Sequence, residues 1–309
     1  MNITRREFLK NTAVLSALIG GVPLAKPLHT LAQRAAPPTT VAMVTGDRPA
    51  AVRAAIMLLG GIERFVPRGS RVVLKPNMSF PHPPDRATNT HPEVVATVAR
   101  LCRDAGAAEV LVLDYPFNPP ERCVTLSGIA DACRGIKNVY VHAIAQQKFF
   151  KPHPLPRGKA VREVLLMRDV LESDILISLP TAKSHTTTGV SLGMKGLMGL
   201  IWDRRYFHAQ VDINQAIADL VSGVNVHLTV LDGSRALVTG GPSGPGTVVF
   251  PNTIIAGTDP VAVDALGVSL APWYNQQCNA SQIHHIVAAS RMGLGTMRTD
   301  EISLLKKQV

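Results

Sequence analysis

Residues 181–199 hold the densest group of side chains that could do chemistry in this chain. Lys183, His185, Ser191 and Lys195 lie there among threonines and glycines. Lysine supplies positive charge, and histidine exchanges protons near neutral pH. Serine is a common helix cap, and the free backbone amides of a helix N-terminus attract anions. The segment therefore predicts a site for an anionic group such as a phosphate or a carboxylate, with Ser191 capping a short helix.

The same segment also indicates close packing. Gly193, Gly196 and Gly199 recur every third residue, which predicts a helix face that a backbone or a ligand can approach closely. Lys195 lies between them in an apolar run. An ammonium buried in such a run needs a partner, whereas a side chain that extends to solvent needs none. Both placements of Lys195 are open from the sequence.

Polar side chains follow five of the apolar runs that resemble strands. These side chains are Lys75 and Asn77, Asp114, Lys183 and His185, Asp232, and Asp259. Right-handed crossovers make parallel strands point the same way, so their carboxyl ends meet at one edge of the sheet. Asp and Asn also form turns at strand ends, which is the structural alternative for each of them. Their occurrence at five ends favours one shared site.

Two aspartates belong to a helix predicted over residues 260–270. Asp259 precedes Pro260 and is typical of an N-cap, with ligand binding as the alternative. Asp264 falls inside an apolar run, so a carboxylate buried there needs a cation, a hydroxyl or a metal ion. Lys75, Lys183 and Lys195 are the candidate cations. Because lysines outnumber carboxylates in this group, a small acidic ligand is favoured over a cationic one.

A divalent metal site is a further alternative. His208 and Asp212 lie four residues apart, on one face if that stretch is helical, and His185 would be a third ligand. With ten histidines in the chain, such a pair also arises without a metal. The sequence has no Gly-x-Ser-x-Gly elbow of a serine hydrolase. No glycine-rich nucleotide motif follows the first apolar run, which weakens the nicotinamide and nucleoside-triphosphate hypotheses.

The elements that must position these residues alternate along the chain. Apolar runs predict strands at residues 41–44, 72–74, 110–113, 139–141, 175–179, 228–231 and 253–255, and helical spacing predicts helices at 50–62, 92–102, 213–221 and 260–270. Thr90 is a candidate cap for the second helix. This alternation predicts an α/β fold with a mostly parallel sheet and helices on both faces. We expect one domain over residues 37–309, with a small proline-rich excursion at 146–162.

Residues 1–36 resemble a twin-arginine export signal and linker. Arg5 and Arg6 precede a mildly apolar run, and residues 30–32 form a small-x-small pattern that predicts cleavage after Ala32. The apolar residues continue around every face, unlike those of an ordinary amphipathic helix. The run is shorter than the roughly 20 residues of a membrane span. We therefore expect the twin-arginine translocase as a partner, delivery to the periplasm, and no stable membrane span.

The net charge of the chain is best considered with and without the predicted export signal. The 309 residues are 46% hydrophobic and 17% charged, which excludes disordered and collagen-like proteins. The formal charge is +10, and loss of residues 1–32 removes four basic residues and one acidic residue, which leaves +7. The remaining lysines and arginines are scattered, with the pairs Arg204-Arg205 and Lys306-Lys307 as the nearest clusters. Scattered charge favours a solvated surface, so we expect no nucleic-acid partner.

These motifs resemble the domain of unknown function 362 family. The resemblance rests on Val72-Val-Leu-Lys-Pro-Asn77, Lys183-Ser-His185 with Ser191, Lys195-Gly-Leu-Met-Gly199, Gly240-Gly-Pro242 and Gly257-Thr-Asp-Pro-Val-Ala-Val-Asp264, and it covers about residues 40–270. The activity of the family is generally unassigned, so the resemblance implies no catalytic residues. Many relatives append ferredoxin-like cysteine clusters, which implies a redox setting.

This chain departs from that cysteine pattern. Cys102, Cys123, Cys133 and Cys278 lack the close spacing of ferredoxin ligands, so we expect no ferredoxin-type iron–sulfur motif. In an oxidising compartment, a disulfide between Cys123 and Cys133 is an alternative.

The sequence as a whole favours an exported α/β enzyme that acts on a small anionic substrate, with the reaction unassigned. The expected catalytic residues are His185 in proton transfer, Lys195, and Asp264 holding a lysine or a metal. The expected ligand-binding residues are Lys75, Asn77, Lys183, Ser191, Asp114, Asp232 and Asp259. The alternative is a non-catalytic periplasmic protein that binds a ligand or a metal with the same residues, in a redox setting.

Overall fold

The computed structural model describes residues 39–309, which form one compact unit. The predicted export signal, with its cleavage point after Ala32, lies outside the described residues. None of the helices in the described part of the chain is both long and apolar enough to span a membrane.

Most of the strands join one sheet. The strands are β1 (Thr40–Thr45), β2 (Arg71–Pro76), β3 (Glu109–Asp114), β4 (Val139–Ala143), β5 (Phe150–Pro154), β6 (Glu163–Met167), β7 (Ile175–Leu179), β8 (Thr181–His185), β9 (Gly189–Ser191), β10 (Leu228–Leu237), β11 (Val248–Val249), β12 (Thr253–Gly257) and β13 (Ser303–Gln308). The seven strands predicted from apolar runs all form, each at its predicted place.

The helices alternate with these strands along the chain. They are α1 (Arg48–Leu58), α2 (Pro92–Asp104), α3 (Pro120–Leu126), α4 (Ile129–Cys133), α5 (Arg168–Leu171), α6 (Gly193–Gly196), α7 (Arg204–Ala209), α8 (Ile213–Gly223), α9 (Pro260–Val268) and α10 (His284–Arg291). The four predicted helices are confirmed as α1, α2, α8 and α9. The N-cap of α2 is His91, whose Nδ1 accepts a hydrogen bond from the backbone amide of Glu93, so the prediction of Thr90 as the cap is wrong.

The strand order in the main path of the sheet is β13, β1, β12, β10, β7, β2, β3, β4. From β10 to β4 all neighbours are parallel, which confirms a mostly parallel sheet. Strand β12 runs antiparallel to β10 and to β1. Strands β8 and β9 form a hairpin that pairs with the far half of β10. The carboxyl end of β12 therefore lies at the opposite edge of the sheet from those of β2, β3 and β7.

Successive residues of the central strands pack into two separate hydrophobic cores, one on each face of the sheet. Val72 and Val110 face the layer formed by α1 and α2, whereas Val73 and Leu111 face the layer formed by α8, α9 and α10. This follows from the two-residue period of a strand, since each buried strand must be apolar on both sides. Helices therefore cover both faces of the sheet, as predicted.

The proline-rich excursion forms a small sheet of its own. Strand β5 pairs antiparallel with β6, and Leu155 at its end is fully buried in the core below α8. The side-chain Nε2 of His153 lies 2.8 Å from the carbonyl oxygen of Gly223, at the end of α8. The excursion is thus a folded hairpin that packs on the domain.

Candidate functional site

A cavity of about 590 Å³ lies at the carboxyl ends of β2 and β3, beside the hairpin of β8 and β9. Eight of the residues predicted from the sequence line it: Lys75, Asn77, Asp114, Lys183, His185, Ser191, Lys195 and His208. Arg204, Arg205, Phe80, Phe117 and Met198 complete much of its wall. The convergence of parallel strand ends brings Lys75, Asn77 and Asp114 together. The hairpin adds Lys183, His185 and Ser191.

The hairpin replaces the loop expected for the residues before the glycine-rich helix. Lys183 and His185 are two residues apart on β8, so their side chains leave the same side of the strand, and both reach the cavity. Ser191 on β9 lies opposite Lys183 in the antiparallel register. The side-chain oxygen of Asn77 accepts a hydrogen bond of 2.8 Å from the amide of Thr181, which ties the end of β2 to the start of β8.

Lys75 and Asp114 form a buried ion pair at the floor of the cavity. Lys75 Nζ lies 3.1 Å from Asp114 Oδ1, and both side chains are 1% exposed. The other carboxylate oxygen of Asp114 accepts hydrogen bonds from the amide of Met78 and the hydroxyl of Ser79. Burial lowers the pKa of Lys75, and the charge of Asp114 opposes this shift. Asp114 is the one acidic residue in the described wall of the cavity, and this pairing neutralises it.

Gly199 makes this arrangement possible. A Cβ at position 199 would lie 2.0 Å from Asp114 Oδ1 and 2.9 Å from Lys75 Nζ. The close approach expected from the glycine spacing is therefore an approach to the ion pair.

Lys183 is buried and has partners in the protein. Its Nζ donates a hydrogen bond of 2.6 Å to the carbonyl oxygen of Thr88 and lies 4.9 Å from the centroid of the Phe80 ring. Burial lowers the pKa of Lys183 to about 7; the positive charges of Lys195 and Lys75 also lower it, whereas Asp114 raises it.

Lys195 has no such partner. Its side chain is 9% exposed, and no hydrogen bond or ion pair joins its ammonium to any residue of the described part of the chain. Burial, together with the positive charges of Arg204 and Lys75, lowers the pKa of Lys195 to about 7. Lys195 is therefore buried in the cavity wall and does not extend to solvent, and no described residue supplies the partner that a buried ammonium needs.

The histidines of the cavity are neutral at pH 7. His185 Nδ1 accepts hydrogen bonds of 3.2 and 3.3 Å from the amides of Thr187 and Thr188, so its proton lies on Nε2. Burial lowers the pKa of His185 to about 3 and that of His208, stacked 6.0 Å away, to about 4. At neutral pH His185 can thus donate a hydrogen bond, but it is a poor acceptor of a proton.

Two residues of this region were not predicted from the sequence. His285 on α10 is fully buried, and neither ring nitrogen has a hydrogen-bond partner in the described structure. Burial and the charge of Lys195 lower the pKa of His285 to about 3. Arg204 was assigned to scattered surface charge, but it lies 3.8 Å over the Tyr115 ring and donates hydrogen bonds to the carbonyl oxygens of Tyr115 and Pro116. No spacing signal marks either residue, because distant elements bring Arg204 to the cavity and His285 into electrostatic reach of Lys195.

A second cavity of about 470 Å³ adjoins the first and shares Phe117, Arg204 and Arg205 with it. Trp202 and Tyr206 also line it, and Trp202 stacks on Tyr115 with a centroid distance of 5.1 Å. The first cavity therefore continues into a groove lined by aromatic side chains.

Asp264 lies outside the cavity wall, and its predicted role is wrong. Its carboxylate accepts hydrogen bonds of 2.7 and 2.9 Å from the amides of Gly193 and Met194, at the start of α6. Buried backbone amides thus satisfy it in place of a lysine or a metal. These amides are then unavailable to a ligand, so the expected anion site at this helix N-terminus and the capping role of Ser191 are also wrong. Burial raises the pKa of Asp264 to about 7.

Asp232 and Asp259 also lie away from the cavity. Asp232 is buried within β10, where it pairs with Arg235 at 2.7 Å and accepts a hydrogen bond from the amide of His91. Asp259 follows β12, whose antiparallel direction carries it to the opposite edge of the sheet. It caps α9 by accepting hydrogen bonds from the amides of Val261 and Ala262, the structural role considered from the sequence.

The premise of the metal hypothesis does not hold. The helix that carries His208 ends at Ala209, and Asp212 caps the next helix by accepting a hydrogen bond from the amide of Asn214. The two side chains therefore do not share a helix face. The described residues contain no group of three or more His, Cys, Asp or Glu side chains placed to hold a metal ion.

The cysteines of the described chain are free thiols. Cys123, in α3, and Cys133, in α4, are both buried free thiols and do not form the disulfide considered from the sequence. Burial raises the pKa of each of these two thiols to about 11.

Comparisons with known proteins agree with the motifs. The family model described as Domain of unknown function (DUF362) matches residues 72–269. A thylakoid-associated protein of Synechocystis sp. is 26% identical over 256 residues, which are 81% of this chain and 76% of that protein.

Two solved structures show weaker likeness. A Thermotoga maritima protein aligns with a TM-score of 0.40 and 14% identity, over 66% of this chain and 55% of its own. The lactate racemase apoprotein from Thermoanaerobacterium thermosaccharolyticum aligns with a TM-score of 0.49 and 14% identity, over 75% of this chain and 57% of its own. The chain thus spans little more than half the length of either protein.

Proposed function

The chain belongs to the family described as Domain of unknown function (DUF362), and from that premise we propose that it is an exported enzyme that acts on a small anionic substrate. The substrate binds in the cavity lined by Lys75, Lys183 and Lys195. The observation that carries this proposal is the unpartnered ammonium of Lys195 in a wall whose single carboxylate is already paired.

The charge of the cavity supports an anion. Lys183, Lys195, Arg204 and Arg205 line it without a carboxylate partner among the described residues, whereas Lys75 and Asp114 cancel each other. Lys183 and Lys195 are buried, and placing these like charges together away from solvent costs free energy that a bound anion recovers. An anionic ligand therefore stabilises the folded protein by mass action.

The neighbouring groups support chemistry on that anion. An amine with a pKa near 7 exists in both protonation states at neutral pH, which suits general acid–base catalysis. The Nε2–H of neutral His185 is available to donate a hydrogen bond to a ligand oxygen, because Nδ1 is already occupied. Lys195 and His185 are the catalytic residues of this proposal, with Lys75, Asn77, Lys183 and Ser191 around the ligand.

A thermal-unfolding experiment tests the binding step. Inorganic phosphate and pyruvate are the anionic probes, with choline as the cationic control and glycerol as the neutral one. We expect the anions alone to raise the melting temperature of the wild type and of Lys137→Met, a variant of an exposed lysine outside the cavity. They should have little effect on Lys195→Met. Equal stabilisation of all three proteins would contradict the site.

A non-catalytic binding protein is the second candidate. It is favoured by the histidines, because the pKa values of His185, His208 and His285, between about 3 and about 4, leave no imidazole ready to accept a proton at neutral pH. Proton NMR of a bound anion distinguishes the two functions. Exchange or conversion of the ligand by the wild type but not by Lys195→Met supports the enzyme, and unchanged ligand supports capture.

A further inference from the structure

We propose that the Lys195 side chain is a nucleophilic amine that forms an imine with a 2-oxo acid bound in the cavity. This inference rests on the proposed function, because it assigns a substrate class and a covalent step to the same anionic site. Its geometric basis is the contrast between Lys195 and the two other lysines of the wall.

The other two lysines are held by the protein. Lys75 is paired with Asp114 at 3.1 Å, and Lys183 donates to the carbonyl oxygen of Thr88 at 2.6 Å. Lys195 reaches the same space with no acceptor among the described residues. An amine that is free of ion pairs can present its lone pair to a carbonyl carbon, whereas a paired ammonium cannot.

The surroundings of Lys195 make its neutral amine available at neutral pH, beside the ammonium form. Arg204 and Lys75 repel a proton on Lys195, and the side chain is 9% exposed. Three imidazoles, those of His185, His208 and His285, lie within electrostatic reach, and all three are neutral at pH 7. None of them offers the negative charge that would hold an ammonium. Desolvation next to another cation is the arrangement that activates amines for imine formation.

The remaining wall selects the substrate. Lys183 and Arg205 can attract a carboxylate, because an ammonium has three donors and the carbonyl oxygen of Thr88 takes one of those of Lys183. The Nε2–H of His185 can donate to the carbonyl oxygen next to the carboxylate. The aromatic groove beyond Phe117 can accommodate the rest of a larger oxo acid.

The covalent step is balanced without a redox partner. The lone pair of Lys195 Nζ attacks the carbonyl carbon and forms a C–N bond, while a proton passes from nitrogen to the carbonyl oxygen to give a carbinolamine. A second proton reaches the hydroxyl group, the C–O bond breaks, and water leaves. The remaining N–H proton is lost to solvent, so that the products are one imine and one water molecule.

Reductive trapping tests this step. The full chain is incubated with pyruvate or phenylpyruvate and sodium cyanoborohydride, then digested and mapped by mass spectrometry. We expect one adduct, at Lys195, with a mass increase equal to the oxo acid less one oxygen atom. The control variant Lys137→Met should be labelled at Lys195 to the same extent as the wild type. Lys195→Arg should lose the labelling.

The outcomes separate the two proposals. Labelling mainly at Lys75, Lys183 or surface lysines overturns the imine proposal. No adduct with either acid, while pyruvate still raises the melting temperature, also overturns it and leaves the anion site standing. No adduct and no stabilisation contradict both proposals.

A second measurement needs no variant. The rate at which acetic anhydride labels Lys195 in the native protein follows the fraction of neutral amine. We expect this rate to level off above a pH of about 7. A rate that continues to rise into the alkaline range, as for an ordinary lysine, would overturn the nucleophile assignment.

Discussion

Replacing Gly199 by alanine should break the ion pair under the cavity. The added Cβ would lie 2.0 Å from Asp114 Oδ1, whereas ordinary contact begins near 3.4 Å, so the carboxylate must move by about 1.4 Å. The same Cβ would lie 2.9 Å from Lys75 Nζ. Both side chains are 1% exposed, so the displacement has to take place at the buried floor of the cavity.

The magnitude follows from two costs. Inserting a methyl group into a packed core costs about 1–3 kcal/mol. Separating a buried ion pair adds to this, up to the roughly 3–5 kcal/mol seen when one partner is lost. We expect the free energy of unfolding to fall by about 3 kcal/mol. For a chain of this size that corresponds to a melting temperature lower by about 6–12 °C.

Gly196→Ala is the matched control. A Cβ at position 196 would lie 3.8 Å from Pro180 and 3.9 Å from Asn77, which is ordinary contact, and the residue has helical φ and ψ. Gly196→Ala should therefore leave stability unchanged or raise it by up to about 1 kcal/mol. Urea unfolding measures both variants. If Gly199→Ala and Gly196→Ala differ by less than about 0.5 kcal/mol, the tight contact described above does not govern stability.

Three further predictions concern Lys195, Asp114 and the arginine pair of the predicted export signal. Lys195→Met should raise the melting temperature at pH 7, because folding disfavours the buried ammonium. The unfolded chain keeps the Lys195 proton to a higher pH than the folded protein does. The free energy of unfolding of the wild type should therefore rise more between about pH 7 and pH 10 than that of Lys195→Met, and parallel curves of this free energy against pH would refute the prediction. Asp114→Asn should cost about 3 kcal/mol in urea unfolding by leaving Lys75 unpaired, and an unchanged midpoint would argue against the pair. Arg5→Lys with Arg6→Lys should stop export in cell fractionation, and continued periplasmic delivery would refute the signal.

The sequence alone predicted the class of the fold because its signals are local. Runs such as Val72–Leu74 and Val110–Leu113 are apolar on both faces, which indicates strands covered by helices on either side. The same reasoning placed Lys75 and Asp114 at strand ends, and parallel pairing of β2 and β3 then brings them together.

Strand direction and long-range packing were decided by the tertiary structure. The antiparallel β12 carries Asp259 to the opposite edge, and nothing in its apolar run encodes that direction. Asp264 accepts a hydrogen bond from the amide of Met194, 70 residues away in the sequence. It thereby occupies the N-terminus of α6, which the sequence by itself predicts to bind a ligand. Arg204 and His285 reach the surroundings of Lys195 from elements whose sequences give no sign of it. Whether a charged side chain is paired depends on contacts between distant segments, so only the folded chain shows that Lys195 is free.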